Sequence, residues 1–112
     1  MKLLKCVVRP SALEDVKEAL SQLGVMGMTV NEVKGFGRQK GHKEVYRGAE
    51  YNIDFTPKIE IEVVVANELA EQAVNAVRDA AQSGRIGDGK IFILAVDDVV
   101  RIRTGETGEA AI

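Results

Sequence analysis

The apolar residues of the chain switch between strand-like and helix-like spacing, which predicts alternating strands and helices. Residues 3–8 form an apolar run that Pro10 ends, because proline cannot donate to a strand ladder. The apolar residues that follow share one face of a helix, and they are Leu13, Val16, Leu20 and Leu23. We expect Ser11 to cap this helix, with Glu14 completing a capping box, and Gly24 to end it.

Three further strands are predicted at residues 28–33, 58–66 and 91–96, from alternating or continuously apolar sequence. Between the last two strands lies an alanine-rich helical stripe, and we expect the side chain of Asn67 to cap this second helix. The element order is that of the ferredoxin-like βαββαβ fold, which belongs to the α+β class. We therefore predict a single domain over residues 1–112, with a four-stranded antiparallel sheet and both helices on one face.

The face of the predicted sheet that turns away from the helices also contains apolar residues. The strand at 91–96 is apolar at both of its alternations, and the strand at 58–66 places Val64 and Ala66 opposite its helix-facing residues. Two helices can cover only one face, and monomers seldom expose a large apolar patch. We therefore expect this second face to be buried against other copies of the chain.

The longest polar segment lies between the second and third strands, over residues 35–58. The connection itself runs to about 17 residues, and loops beyond about 12–15 residues are usually functional. It contains glycine, cations, amides and tyrosine, with almost no aliphatic anchor before Ile53. We expect it to pack onto a partner rather than onto its own domain. Residues 97–112 are also polar, and their repeated Thr-Gly-Glu sequence predicts a flexible terminus.

Composition and charge exclude several classes of function. The chain has 112 residues and a net charge of −2, so it lacks the basic surface of a nucleic-acid or anionic-membrane binder. An RNA-recognition module shares the element order but needs aromatic residues on its central strands, and residues 5–8 and 59–62 have none. The single cysteine, Cys6, lies in an apolar strand, which favours a core position over a reactive thiol. No apolar run approaches the ~18 residues of a membrane span, and we expect a cytoplasmic protein.

A glycine-flanked turn before the fourth strand is a candidate anion site. Gly87 and Gly89 allow backbone N–H groups to converge on an anion, and Lys90 adds a positive charge. The alternative is an ordinary Asp-Gly turn. Cations at element ends favour an anionic ligand over solvated charge, and they are Arg38, Lys90, Arg101 and Arg103.

The sequence contains no recognisable catalytic set. His42 is the only histidine, and in a polar loop it lacks the fixed partner that phosphohistidine chemistry needs. No Ser/His/Asp set and no Cys/His metal spacing is present. We therefore expect a binding protein and not an enzyme.

Three motifs resemble the PII signal-transduction family of the GlnB and GlnK type. They are YRGAEY at residues 46–51, GDGK at residues 87–90 and VRIRTGE at residues 100–106. The resemblance runs essentially from end to end, with the motifs in the family order. It implies a homotrimer with nucleotide sites in the clefts between subunits. By similarity, residues 37–55 form the T-loop, 82–90 the B-loop and 101–112 the C-loop.

The resemblance also implies the ligands and the residues that hold them. ATP and ADP would compete for one site, and the residues around the adenine would be Thr29, Gly35, Glu62 and Val64. Those at the phosphates would be Gly37, Arg38, Gly87, Asp88, Gly89 and Lys90, with Arg101 and Arg103 from the adjacent subunit. With ATP, Mg²⁺ held by Gln39 would complete a 2-oxoglutarate site formed by Gln39, Lys40, Gly41, Lys58 and Gly87.

Two loop residues are candidate contacts with other proteins. Tyr51 matches the tyrosine that a uridylyl- or adenylyltransferase modifies in some relatives, whereas Ala49 stands where other relatives have a phosphorylated serine. Arg47 matches a residue that enters the pore of an ammonium transporter, and its alternative is a solvated arginine at the loop tip. Other expected targets are enzymes and regulators of nitrogen assimilation, and a membrane would be reached only through a transporter.

Two other functions fit the same pocket. One is slow nucleotide hydrolysis or phosphoryl transfer, which lacks an evident base to position water. The other is a PII-like sensor of bicarbonate or a cyclic nucleotide, against which Gln39, Lys58 and the tyrosine motif argue.

Overall fold

The computed structural model describes residues 1–37, 43–46, 49–52 and 55–112, with the two short segments 43–46 and 49–52 described through their backbone. In chain order the helices and strands are β1 (Lys2–Val8), α1 (Leu13–Gln22), β2 (Thr29–Gly35), β3 (Lys43–Tyr46), β4 (Ala49–Asn52), β5 (Thr56–Val65), α2 (Asn67–Ala81) and β6 (Gly89–Ala95). Two short 3₁₀ helices span Pro10–Ala12 and Gly108–Ala111.

The main sheet has the order β2-β5-β1-β6, and every neighbouring pair of its strands is antiparallel. This arrangement confirms the predicted four-stranded, ferredoxin-like α+β fold. The described part of the long connection adds a hairpin, because β3 pairs with β4 in an antiparallel two-stranded sheet. We did not predict these two strands, although Val45 and Tyr46 in β3 and Tyr51 in β4 favour strand structure.

The hydrophobic core lies between the sheet and the two helices. Alternate residues of β5 point into it, and the strand register places Ile61 beside Cys6 and Val63 beside Leu4. The helices close the core with Val16 and Leu20 from α1 and with Ala73 and Val77 from α2, all of them fully buried. Cys6 is fully buried, and burial raises the pKa of its thiol to about 11, which confirms the predicted core role.

The sheet face away from the helices is mixed in character and is called the open face here. Glu62 of β5 pairs with Lys5 of β1, and Lys5 pairs in turn with Phe92 of β6. Phe92 and Leu94 remain 49% and 44% exposed at the β6 side of this face. The predicted apolar character therefore continues across the face where Leu3 lies between Val64 and Leu94, whereas Glu62 and Lys5 make the neighbouring row partly charged. Burial of this face against other copies stays a prediction.

Both predicted helix caps are wrong. Pro10 starts a 3₁₀ turn directly after Arg9, so Ser11 already lies inside that turn, and Ala12 occupies the N-cap position of α1. At the second helix the cap position is Ala66, and Asn67 is the first helical residue. The side-chain oxygen of Asn67 instead accepts a hydrogen bond from the terminal amino group of Met1, at 2.9 Å.

The C-terminal segment is held by hydrogen bonds, so the prediction of a flexible terminus is wrong. Val100 pairs with Thr107 in an isolated antiparallel bridge, and the backbone N–H of Arg101 donates to the carbonyl of Glu106 at 2.9 Å. Ala111 in the last 3₁₀ turn is only 9% exposed. In the described residues, none of the helices combines the length and the apolar character that crossing a membrane requires.

Candidate ligand-binding cleft

A cleft of about 710 Å³ opens at one end of the main sheet, where the termini of four strands lie side by side. The end of β2 pairs with the start of β5 at Gly35 and Thr56, while the end of β1 pairs with the start of β6 at Val8 and Gly89. The predicted site residues that line the cleft are Gly35, Gly37, Lys58, Gly87, Asp88, Gly89 and Lys90. The structure thus brings the phosphate residues of the glycine turn together with the lysine predicted to bind the keto acid.

The glycine turn adopts a backbone conformation that other residues rarely take. Gly87 and Gly89 have φ angles of 105° and 103°, in the region that favours glycine. At Gly89 there is also no space for a side chain, because an added Cβ would lie 1.7 Å from the carbonyl oxygen of Val7. Gly89 therefore allows the turn to lie directly against the end of β1.

Lys58 brings a positive charge into the wall of the cleft. Its residue surface is only 9% exposed, and its ammonium nitrogen donates a hydrogen bond to the carbonyl oxygen of Gly87 at 2.7 Å. Removal from water lowers the pKa of Lys58, and repulsion from Arg9 lowers it further, while attraction to Asp88 acts in the opposite direction. A desolvated cation of this kind favours the arrival of an anionic group such as a carboxylate.

Asp88 lines the cleft, but hydrogen bonds from its own turn occupy its carboxylate. The backbone N–H groups of Ser83 and Gly84 donate to Oδ2 at 2.8 and 2.9 Å, and the Ser83 hydroxyl donates to Oδ1. These bonds, led by the one from the Ser83 hydroxyl, lower the pKa of Asp88 to about 2. Asp88 is therefore ionised at every pH at which the protein is expected to work.

Three of the four residues predicted around the adenine form a second group on the open face, whereas Gly35 lines the cleft. Thr29 of β2 lies directly opposite Glu62 of β5, and Val64 follows two residues later on the same face. These three residues lie towards the opposite end of the β2–β5 pair from Gly35 and Thr56, where the cleft opens. A side-chain hydrogen bond to Glu60 raises the pKa of Glu62, and partial burial and the Glu60 charge add to it, while Lys5 opposes the shift. The two groups are joined by the β2–β5 pair.

The two C-terminal arginines lie apart from the cleft within the described chain. Arg101 forms an ion pair with Glu106 at 3.1 Å and donates to the carbonyl oxygen of Ile112 at 3.1 Å. Arg103 is exposed in the same turn. Their contribution to the site of an adjacent subunit stays a prediction.

Several predicted site residues lie outside the described residues, and they are Arg38, Gln39, Lys40, Gly41 and Arg47. His42 lies there too, and the Tyr51 side chain belongs to the same undescribed set, although the Tyr51 backbone is part of β4.

Arg9 and Thr56 are among the residues of the cleft region that were not predicted from the sequence. Arg9 donates to the carbonyl oxygen of Ile86 and places Nε 3.4 Å from Asp88. Arg9 directly follows β1, whose last residue, Val8, pairs with Gly89 of the glycine turn. Thr56 also lines the cleft, and its buried hydroxyl has no hydrogen-bond partner among the described residues.

The chain is similar over its length to known nitrogen regulatory proteins. A model of the family "Nitrogen regulatory protein P-II" matches residues 1–106. The chain is 60% identical to the nitrogen regulatory protein P-II of Rhizobium meliloti and 56% identical to that of Bradyrhizobium diazoefficiens. It is 54% identical to the nitrogen regulatory protein GlnK of Escherichia coli. Each of these alignments spans 112 residues, the full length of both proteins.

Proposed function

The chain belongs to the nitrogen regulatory protein P-II family and is a nitrogen signalling regulator, and from this premise we propose which ligands it senses. It binds ATP or ADP in clefts between the subunits of a homotrimer, and it binds 2-oxoglutarate there together with ATP. The occupied state is transmitted to target proteins through the T-loop, about residues 37–55. Its relatives are named as regulatory proteins, and we propose that it acts by binding and not by catalysis.

The observation that supports this proposal most strongly is the position of Lys58 beside the glycine turn. A desolvated ammonium group and the glycine turn lie in one cleft, with Lys90 on its wall. Phosphates suit the glycine turn and Lys90, because backbone N–H groups and a cation stabilise their negative charge. A carboxylate suits Lys58, because the two would form a charge-assisted hydrogen bond in a partly desolvated part of the cleft.

The nucleotide would extend along the β2–β5 pair. Its adenine would lie near Thr29, Gly35, Glu62 and Val64, and its phosphates would lie against the turn at Gly87–Lys90. Gly37 and Arg38 would complete the phosphate contacts of this subunit. Arg101 and Arg103 would come from the neighbouring subunit.

The keto acid would bind only beside a nucleotide that can hold a divalent cation. Mg²⁺ prefers oxygen ligands, which the phosphates and the side-chain oxygen of Gln39 provide. 2-Oxoglutarate would then lie between this cation and Lys58, with Lys40, Gly41 and Gly87 around it. ADP lacks the γ-phosphate, so the ADP state would exclude the keto acid, and the two states would report energy and carbon supply together.

The T-loop would convert ligand occupancy into partner choice. Each ligand set offers the loop base different contacts, and a partner that binds one loop shape shifts the population towards it. The expected partners are an ammonium transporter, contacted by Arg47, and enzymes or regulators of nitrogen assimilation. A uridylyl- or adenylyltransferase would modify Tyr51 and block docking by added charge and bulk. We propose a cytoplasmic location, which is consistent with these partners and ligands.

Isothermal titration calorimetry tests the proposal. We expect 2-oxoglutarate to bind the protein loaded with Mg²⁺ and ATP, and to give no heat with Mg²⁺ and ADP. An absence of keto-acid binding in the Mg²⁺–ATP state would overturn the proposal. Chromatography of the nucleotides after incubation provides the control, since rapid ATP consumption would favour the hydrolase instead. Binding of bicarbonate or a cyclic nucleotide in place of the keto acid would indicate the other sensor class.

A further inference from the structure

The carboxylate of Asp88 presents a physical problem at a phosphate site. It lies in the wall of the cleft beside Lys90, where a polyphosphate is expected. Two negative charges a few ångströms apart repel each other, and with a pKa of about 2 Asp88 does not relieve the repulsion by taking up a proton. An Asp88 carboxylate at this place must therefore contribute something to the site that outweighs its repulsion of the phosphates.

Asp88 closes the turn on itself. Its Oδ2 accepts the backbone N–H groups of Ser83 at 2.8 Å and Gly84 at 2.9 Å, and its Oδ1 accepts the Ser83 hydroxyl. Hydrogen bonds to an ionised acceptor are stronger than those between neutral groups. The last residue of α2 is Ala81, so this carboxylate ties the segment that leaves the helix to the segment that enters β6.

The turn needs such a connection because of its glycine content. Gly84, Gly87 and Gly89 all have positive φ angles, between 83° and 105°. Glycine loses more conformational freedom on folding than any other residue, so this sequence without further contacts would sample many shapes. A phosphate would then have to order the turn as it binds, which would reduce its affinity.

Arg9 fixes the closed turn to the sheet. Its Nε lies 3.4 Å from Asp88 Oδ1, and its terminal nitrogen donates to the carbonyl oxygen of Ile86. Arg9 follows Val8, which pairs with Gly89 at the end of β1. The end of β1 thus holds the turn at two places, at Gly89 through strand pairing with Val8 and at Ile86 and Asp88 through Arg9.

We propose that Asp88 is a positioning residue and not a phosphate ligand: with Ser83 and Arg9 it holds the glycine turn in the shape that receives the phosphates. This inference rests on the proposed nucleotide binding and makes the role of Asp88 more specific. Ser83 and Arg9 act only through the turn and need no contact with the nucleotide in this role.

The sign of the effect of Asp88→Asn separates positioning from simple electrostatics. If Asp88 mainly repels phosphate, its neutralisation strengthens ATP binding. If Asp88 positions the turn, ATP binds about tenfold more weakly, because asparagine offers one acceptor oxygen where the carboxylate offers two. Asp79→Asn is the matched control, since it removes the same charge from an exposed site on α2 and leaves the turn intact.

Adenosine shows whether the effect is confined to the turn. It lacks phosphates, so its affinity stays within about twofold of wild type in Asp88→Asn if the adenine region is unchanged. Equal losses for ATP and adenosine would indicate a general structural defect and would overturn the inference. Unchanged or tighter ATP binding would overturn it as well.

Ser83 provides a second variant in case Asp88→Asn folds poorly. Ser83→Ala removes the hydroxyl donor and weakens ATP binding several-fold, whereas Ser83→Thr keeps the hydroxyl and restores it. Hydrogen exchange of the Gly84 amide gives a readout without ligand: exchange is faster in Ser83→Ala and Asp88→Asn than in wild type. If wild type fails to bind ATP, the proposed function fails, and the exchange rates alone then support or overturn the closed turn.

Discussion

The ammonium nitrogen of Lys58 lies 2.7 Å from the carbonyl oxygen of Gly87, so a strand and a turn 29 residues apart are joined across the cleft. The bond orients the partly desolvated ammonium group of Lys58 at Gly87, two residues before β6 begins. The two groups that we propose to recognise different anions, a carboxylate and a phosphate, thereby have a fixed spacing. Any ligand that competes for Lys58 must also affect the turn.

Lys58→Met should abolish binding of 2-oxoglutarate in the Mg²⁺–ATP state, because methionine keeps the length of the side chain and removes the charge. Stability should change by no more than about 1 kcal/mol, since the lost hydrogen bond is offset by relief from burying a cation. Calorimetry and urea unfolding measure the two effects. Lys34→Met, an exposed change on β2, is the control and should leave keto-acid binding intact.

Gly89→Ala should be among the most damaging small substitutions in the chain. The new Cβ would lie 1.7 Å from the Val7 carbonyl oxygen, and φ at this position is 103°. We expect a loss of about 3 kcal/mol or more in the free energy of unfolding, measured by urea denaturation. Gly84→Ala is the matched control: its φ is 83°, no described atom lies within 4 Å, and the loss should be only about 1 kcal/mol. Equal losses for the two variants would contradict this steric argument.

The turn should lose its stabilisation by Asp88 only in strong acid. The folded-state pKa of about 2 lies below the ordinary 3.8, so folding favours the carboxylate form. The contribution is fully present above pH 3.8 and is lost as the pH falls towards 2. An NMR titration of the Asp88 carboxyl carbon should give a midpoint near 2 in wild type and a higher midpoint in Ser83→Ala. A midpoint that does not respond to this substitution would contradict the assigned cause.

Cys6 should resist alkylation in the folded protein. It is fully buried, and with a pKa of about 11 only about one thiol in a thousand is ionised at pH 8. We expect iodoacetamide to label the native chain slowly, at a rate limited by opening of the β1 core, and to label the chain in urea rapidly. Rapid labelling without denaturant would show that the β1–β5 core opens far more often than its packing implies.

The order of the two helices and the four strands of the main sheet was predicted correctly. The strand patterns around Val8 and Ile61 differ clearly from the helical spacing of apolar residues in α1 and α2. The prediction failed at Ser11, because Pro10 begins a helical turn one residue earlier and removes the serine from the cap position. A capping pattern reports local preference, and here the fixed φ of proline decides where the first turn starts.

The site was predictable only in part, and the reason is the kind of bond involved. Lys58 and Gly87 were named together only through resemblance, because no spacing in the sequence reveals a side chain that binds a distant carbonyl. Arg9 and Ser83 were missed because their bonds form only after β1, α2 and β6 fix the turn. Where a site consists of backbone groups, residue types alone give little indication of it.

Mixing two variants that each bind nucleotide weakly should restore wild-type affinity at some sites if neighbouring subunits share each site. Lys90→Ala removes a cation from the cleft, and Arg103→Ala removes a cation that the single chain keeps away from it. Arg103 is a better choice than Arg101, because Arg101 also holds Glu106 and the carbonyl of Ile112 in the C-terminal turn. Each variant alone should bind ATP at least about tenfold more weakly than wild type, the loss expected for one charge-assisted contact.

In a cyclic trimer every interface is head-to-tail, so a mixed trimer contains one interface at which both cations are intact. Trimers purified through two different affinity tags should therefore show about one site of wild-type affinity per trimer, measured by calorimetry. The matched control is a mixture of Lys90→Ala with a chain that has both substitutions, which can form no intact site. Failure of the first mixture to recover affinity would contradict the sharing of sites. A sedimentation velocity profile of a monomer would contradict the assembly itself, because Arg103 would then have no neighbouring cleft to reach.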